Sequence, residues 1–96
     1  MAAYVISEVT VCDAAAMARY RELASAAIEK HGGRYLVRGA EAEVAEGAPS
    51  TAALVIVEFP SMDMLRDWYA SPEYAKALEF RAVALKRRLI FADGLD

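Results

Sequence analysis

The sequence has little of what disulfide, zinc and membrane proteins depend on. It contains one cysteine, Cys12, and one histidine, His31, so neither an internal disulfide nor a Cys/His zinc set can form within one chain. Its unbroken apolar runs are far shorter than the ~20 residues that span a bilayer. No basic segment precedes the carboxylate of Glu8, so we expect no signal peptide. These absences favour a soluble, cytoplasmic protein that binds no metal.

Positive charge is scarce as well. Eleven Lys and Arg stand against 14 Asp and Glu, which gives a formal net charge of -3. The densest basic run, Lys86–Arg88, is short, and we expect it to be the solvated end of a helix, where cations are favoured. Nucleic-acid binders carry a basic stripe instead. The sequence therefore predicts no nucleic-acid partner and no membrane partner.

Motifs for cofactor and hydrolase chemistry are also missing. The chain has no G-x-G-x-x-G, no P-loop, no G-x-S-x-G and no H-E-x-x-H. We therefore expect no cofactor.

What is present is the composition of one small globular domain over residues 1–96. Hydrophobic residues make up 57% of the chain and charged residues 26%. Local patterns predict elements in this order: a strand at Tyr4–Val11, a helix at Ala14–Lys30 capped by Asp13, a strand at Arg34–Arg38, a short edge strand at Glu41–Glu46, a strand at Ala53–Phe59, helices at Met62–Ala70 and from Pro72 to about Arg87, and a strand at Leu89–Ala92. This βαββαβ order predicts an α+β fold, the ferredoxin-like plait, with helices on one face of an antiparallel sheet.

Alternation along the predicted strands sorts the two faces of that sheet. One alternating set from each strand is assigned to the helix side, namely Val5, Ser7, Val9 and Val11 of the first strand and Val55, Val57 and Phe59 of the third. The opposite face then carries Tyr4, Ile6, Leu36, Leu54 and Ile56, which is too apolar a surface to leave exposed to water. We therefore expect a homodimer in which two such sheet faces meet.

Four segments of the chain resemble a known family. They are AYVISEVTV at Ala3–Val11, HGGRYLVRG at His31–Gly39, VIVEFPSM at Val55–Met62 and WYASPEYAKAL at Trp68–Leu78. They resemble the domain-of-unknown-function 1330 family, small bacterial proteins of the dimeric α+β-barrel superfamily. The resemblance implies the ferredoxin-like plait and a homodimer whose sheets face each other. That superfamily also includes cofactor-independent monooxygenases, muconolactone isomerases and heme-dependent chlorite-degrading enzymes, and analogy at that level says little about the reaction.

Candidate site residues each allow two interpretations. His31 can transfer protons near neutral pH, or it can simply bond the last carbonyls of its helix. Arg38 and Glu58 end apolar strands and are predicted to point to the open sheet face, where they form an ion pair or meet a ligand.

The aromatic residues are equally open. Tyr20 is either a core residue or a binding residue. Trp68, Tyr69 and Tyr74, together with Arg81, form either the wall of a pocket for a flat anion or ordinary helix-to-sheet packing.

Three functions therefore remain open at this level. The first is a small-molecule-binding homodimer with cofactor-independent isomerase or monooxygenase activity on a small anionic or aromatic compound. The second is a ligand-binding or sensing protein without turnover, and the third is a purely structural dimer.

Overall fold

The computed structural model describes residues 1–95, and Asp96, the last residue of the predicted domain, lies outside the described residues. The elements in chain order are β1 (Ala3–Val11), α1 (Ala14–Lys30), β2 (Arg34–Glu41), β3 (Ala53–Phe59), α2 (Met62–Tyr69), α3 (Pro72–Ala84) and β4 (Leu85–Asp93). The predicted α+β class and βαββαβ order are confirmed, with the second helical segment divided between α2 and α3.

The strands form one antiparallel sheet in the order β2-β3-β1-β4. This is the strand order of the ferredoxin-like plait, in which the two central strands come from the two halves of the chain. The helices lie on one side, where α1 and α3 pack against each other. One sheet face is therefore covered by helices, and we call the other the open face.

Short polar side chains start each helix as the sequence predicts. The carboxylate of Asp13 accepts a hydrogen bond from the backbone N–H of Ala16 at 2.8 Å, which satisfies one free donor of the first turn. Ser61 and Ser71 cap α2 and α3 in the same way. At the other end of α1, Gly32 takes a φ of +82°, a conformation that glycine adopts at little cost.

The core lies between the covered face and the helices. Val5, Val9, Val57 and Phe59 are buried there, so the predicted sorting of β1 and β3 is confirmed. On the open face, Ile6 stands directly opposite Ile56 on one side and Ile90 on the other. Val37 continues this row beyond Ile56. An apolar row therefore crosses the whole open face.

Two sequence-based boundaries are wrong. Helix α3 ends at Ala84, and the residues predicted as its basic end, Lys86–Arg88, belong to β4. Lys and Arg favour helices, but pairing of Leu85 with Val11 and of Arg87 with Val9 extends the strand and overrides that local preference.

The short edge strand predicted at Glu41–Glu46 is also absent. Strand β2 instead continues through Glu41, and residues 42–52 form a loop.

Candidate functional site

A cavity of about 80 Å³ lies between the covered sheet face and the helices. Most of its wall is apolar and comes from the valines of β1 and β3, Ala24 and Ile28 of α1, and Leu89 of β4. We call it the sheet–helix cavity. Its polar groups are few and come from Ser7, Tyr20, Tyr35, Tyr74, Trp68 and three arginines, Arg21, Arg38 and Arg87.

Three of these polar groups form a tight cluster. The Tyr20 and Tyr74 hydroxyls lie 2.6 Å apart. The Arg87 guanidinium donates one hydrogen bond to Tyr20 at 2.6 Å and another to Tyr74 at 2.8 Å. Helix α1 supplies Tyr20, helix α3 supplies Tyr74 and strand β4 supplies Arg87, so the cluster joins these three elements at the cavity.

Burial and close polar neighbours shift the pKa values of two members of this cluster, Tyr74 and Arg87. Desolvation of Tyr74 raises its pKa far above the ordinary value, so the phenol stays neutral at physiological pH. Burial alone would lower the pKa of Arg87, but the neighbouring oxygens of Tyr20 and Tyr74 more than offset this, and the pKa is raised. The Arg87 cation therefore lies beside the neutral phenol of Tyr74.

Two further polar atoms in the cavity wall are unusual. Ser7 and Trp68 are only 4% and 2% exposed, and neither the hydroxyl of Ser7 nor the indole N–H of Trp68 has a hydrogen-bond partner among residues 1–95. A buried donor without a partner costs about 1–3 kcal/mol. Such an atom therefore points to a water or ligand that completes the site.

Arg38 stands at the edge of the cavity, and its predicted orientation is wrong. A β-bulge between Tyr35 and Val37 reverses the alternation along β2, so Arg38 faces the helices and not the open face. Its guanidinium donates to Ser25 of α1 at 3.0 Å and lies 4.6 Å from the centre of the Tyr35 ring. The bulge thus moves a positive charge from the open face to the cavity.

The electrostatic character of the cavity follows from its lining. Arg21, Arg38 and Arg87 line it, and no aspartate or glutamate of the described chain does. Arg87 has no carboxylate within ion-pair distance in that same part of the chain. Arg21 and Arg38 are exposed and Arg87 is partly buried, so these guanidiniums make the cavity and its edge locally positive in a chain with a net charge of -3.

Glu58 does point to the open face, as predicted. Its carboxylate accepts a hydrogen bond from Arg34 Nε at 2.8 Å and another from the Tyr4 hydroxyl at 3.1 Å. The bond from Arg34 lowers the pKa of Glu58, and the bond to Glu58 raises the pKa of Tyr4. Glu58 and Arg38 therefore lie on opposite sides of the sheet and cannot bind one small ligand together.

His31 lies outside the sheet–helix cavity. It follows α1, and its Nε2 atom is 3.0 Å from the Glu73 carboxylate in the first turn of α3. Lys30 Nζ lies 3.3 Å from the same carboxylate oxygen. The His31 contact is the main reason that the pKa of Glu73 is lowered. This arrangement joins the end of α1 to the start of α3, beside an open cleft of about 320 Å³.

The remaining predicted site residues lie either in the cavity wall or away from it. Tyr20, Trp68 and Tyr74 meet at the cavity, and the Trp68 and Tyr74 rings are 4.3 Å apart between centres. Tyr69 packs behind them against Phe91 at 5.3 Å and is not part of the lining. Arg81 is exposed on α3, away from the cavity wall. The binding roles given to these residues stay predictions.

Sequence reasoning missed Arg87 and Ser7. Assigning Lys86–Arg88 to a helix end hid the fact that strand alternation turns Arg87 inward and leaves Lys86 and Arg88 outside. The available signal was the pattern Leu85, Arg87, Leu89, Phe91, in which one arginine interrupts an apolar strand face. Ser7 gave the same signal in β1, between Val5 and Val9.

Other kinds of site receive no support from the geometry. Within residues 1–95 no group of three or more His, Cys, Asp or Glu side chains is arranged to hold a metal ion. None of the helices in this range combines the length and the hydropathy that a bilayer-spanning helix requires.

Comparison with known proteins agrees with this architecture. The fold is that of the ferredoxin-like α+β proteins. Residues 2–95 match the family described as domain of unknown function (DUF1330), and the chain belongs to that family. No curated protein shows significant similarity to the sequence.

Solved structures show the same fold at low sequence identity. A protein of unknown function from Rhodopseudomonas palustris is 21% identical with a TM-score of 0.81, covering 99% of this chain and 83% of that chain. SnoaB, a cofactor-independent oxygenase from Streptomyces nogalater, is 13% identical with a TM-score of 0.67, covering 99% and 94%. A dimeric protein of unknown function and ferredoxin-like fold from Bacteroides fragilis is 14% identical with a TM-score of 0.63, covering 97% and 96%.

Proposed function

We propose that this protein is a homodimer that binds a small organic anion in the sheet–helix cavity. The observation that carries the proposal is the charge of the lining, which contains three arginines and no carboxylate within the described residues. Removing a guanidinium from water without a counterion costs several kcal/mol. A site that keeps Arg87 partly buried in this state is suited to a ligand that brings the negative charge.

The size of the cavity limits the ligand. A ligand pocket of a drug-sized molecule encloses roughly 300–1,000 Å³, whereas this cavity measures about 80 Å³. A void of that size holds several waters or a molecule of a few heavy atoms. A larger, flat aromatic ligand therefore requires the side chains at the cavity edge, such as Arg38 and Tyr35, to move outward.

For the reaction we propose cofactor-independent isomerase or oxygenase chemistry. The likeness to a cofactor-independent oxygenase supports it at the level of fold only. Since no carboxylate or histidine of the described chain lines the cavity, and the pKa of Tyr74 is raised, the wall offers no evident base at neutral pH. Any reaction in this cavity would therefore begin from a substrate that is already ionised.

The lack of a carboxylate or histidine in the cavity lining of the described chain favours a second candidate function, which is binding or sensing without turnover. A cavity that supplies hydrogen-bond donors and charge but no base is complete as a receptor site. Turnover separates the two candidates, because a receptor returns its ligand unchanged.

For the assembly, we propose that two open faces meet. The row formed by Val37, Ile56, Ile6 and Ile90 would otherwise leave an apolar band in water. The structural neighbour from Bacteroides fragilis is dimeric, which supports this arrangement by analogy. A dimer of this kind leaves both cavities on the outer, helix-covered sides.

The test is thermal unfolding of the full chain with a panel of small organic anions at constant ionic strength. A ligand at 100 times its Kd stabilises the native state by about 2.7 kcal/mol, which raises the melting temperature of a domain of this size by roughly 10–20 °C. Arg87→Met should abolish the shift, and Arg66→Met, on the exposed side of α2, should keep it. The proposal fails if no anion stabilises the wild type or if Arg87→Met responds like wild type.

A further inference from the structure

The inner end of the cavity, which we define by Tyr20, Tyr74 and Arg87, has more hydrogen-bond donors than acceptors. The hydroxyls of Tyr20 and Tyr74 carry two protons, and the 2.6 Å bond between them uses one. Both oxygens already accept from Arg87, so the second phenol proton has no acceptor within the cluster. Arg87 itself has five N–H groups and donates two of them to these phenols.

Ser7 and Trp68 add to this excess. Both line the same cavity, both are more than nine-tenths buried, and each has a donor without a partner in the described chain. Ser7 lies two residues from Val9, which pairs with Arg87, so the serine and the arginine are diagonal neighbours on the covered face. The centres of the Trp68 and Tyr74 rings are 4.3 Å apart, so the indole lies against the ring of one of the two phenols.

We propose that the inner end of the cavity is a carboxylate site, formed by Arg87, the free phenol proton of the Tyr20–Tyr74 pair, Ser7 and Trp68. This rests on the proposed anion binding and deepens it by naming the ligand group. A carboxylate brings two oxygens that can accept about four hydrogen bonds and no donor, which matches a wall of donors.

Other ligand groups match this wall less well. A phenolate or enolate brings one anionic oxygen and leaves several donors unsatisfied. An amide or an alcohol brings its own donor hydrogens toward donors and lacks the charge that Arg87 requires. The short hydrocarbon part of a carboxylic acid would lie against the valines and Leu89 of the apolar wall.

The chain provides its own probe for this site, because Trp68 is the single tryptophan. Titration of the full chain with propionate, propionamide and 1-propanol compares one carbon skeleton with three end groups. We expect propionate to change the Trp68 fluorescence in a saturable way, with amide and alcohol binding at least tenfold more weakly. Calorimetry on the same samples confirms that the fluorescence change reports binding.

Two variants test the donors one at a time. Ser7→Ala and Trp68→Phe each remove one donor, and a hydrogen bond to a charged group contributes enough that propionate affinity, measured by calorimetry, should fall roughly tenfold or more. Tyr4→Phe makes the same change on the open face and should leave the affinity unchanged. Ser7→Ala should not lower the melting temperature of the unliganded protein, because it removes a donor that has no partner among residues 1–95.

The outcomes separate this inference from the proposed function. If no anion binds, the proposed function fails and the carboxylate site fails with it. If phosphate, chloride or phenolate binds through Arg87 and propionate does not, anion binding stands and the carboxylate site is overturned. Equal affinity for propionate and propionamide, or unchanged propionate affinity in both cavity variants, also overturns it and leaves the buried donors to ordered water.

Discussion

The two faces of the sheet treat their arginines in opposite ways. On the open face Arg34 is 71% exposed and donates to the Glu58 carboxylate at 2.8 Å. On the covered face Arg87 is partly buried, and its hydrogen-bond partners are the phenol oxygens of Tyr20 and Tyr74. The more exposed cation has the counterion, and the more buried one has none within the described chain.

This difference distinguishes an ion pair within the chain from a charge that is available to a ligand. The Arg34–Glu58 pair is complete within the chain, because each charge has its counterion, so it calls for no ligand. The partly buried Arg87 has no carboxylate partner within the described chain, so its charge is available to an anionic ligand. The comparison therefore supports the proposed ligand site on the covered face and the proposed assembly site on the open face.

The largest expected effect is on assembly. Ile56→Asp places a carboxylate in the centre of the apolar row, and burial of that charge in a sheet-to-sheet interface would cost several kcal/mol per copy. We expect sedimentation to change from twice the chain mass of 10.5 kDa to that mass itself.

Val83→Asp is the matched control, because Val83 is 62% exposed on α3. It should leave the mass of the wild-type assembly unchanged. Wild type sedimenting as a 10.5 kDa monomer at micromolar concentration would rule out the dimer altogether.

The second largest expected effect is on anion affinity. The change gives Arg87 a carboxylate partner on the covered face, as Arg34 has on the open face. Val9 stands directly opposite Arg87, so Val9→Glu supplies the counterion that the cavity lacks. We expect anion affinity to fall by roughly two orders of magnitude, since a charge-assisted contact is replaced and a negative charge is added. Val9→Gln, with the same size and no charge, should retain much more of the affinity. If Val9→Glu and Val9→Gln bind anions equally well in calorimetry, the ligand does not bind at the charge of Arg87.

The smallest effect concerns pH. The folded-state pKa values of Glu58 and Glu73 are lowered from the ordinary value of 4.5. Their stabilising contribution is thus fully present above that value and is lost as pH falls through the lower folded-state pKa values. Thermal unfolding between pH 6 and pH 3 should show this loss, and Glu58→Gln should show a shallower one. If the melting temperature of Glu58→Gln falls with pH as steeply as that of the wild type, Glu58 does not contribute to the pH dependence of stability.

Much of the fold could be read from local chemistry. The caps at Asp13, Ser61 and Ser71 and the alternating valines of β1 and β3 are signals that lie within a few residues, and the structure confirms each of them. The β-bulge that turns Arg38 toward the helices has no such signal. It arises from how β2 pairs with β3, which is a property of two distant segments.

The candidate site was harder to predict for the same reason. Tyr20 and Tyr74 are 54 residues apart, and Arg87 completes their cluster only because β4 pairs with β1 and begins at Leu85. Lys and Arg residues that follow a helix have a local preference to continue that helix. This preference favours a helical position for Arg87 over its actual position in β4. The sequence predicts an aromatic wall of Trp68, Tyr69 and Tyr74 with Arg81, whereas the structure places Trp68, Tyr74 and Arg87 at the cavity and leaves Tyr69 and Arg81 outside its lining.

The most direct test is a crystal structure of the full chain grown with propionate. The account predicts electron density for the carboxylate inside the sheet–helix cavity, within hydrogen-bond distance of the Arg87 guanidinium and of a Tyr20 or Tyr74 hydroxyl. Water alone in the cavity at a propionate concentration that saturates the protein in solution, or propionate bound only at the open face, would contradict it.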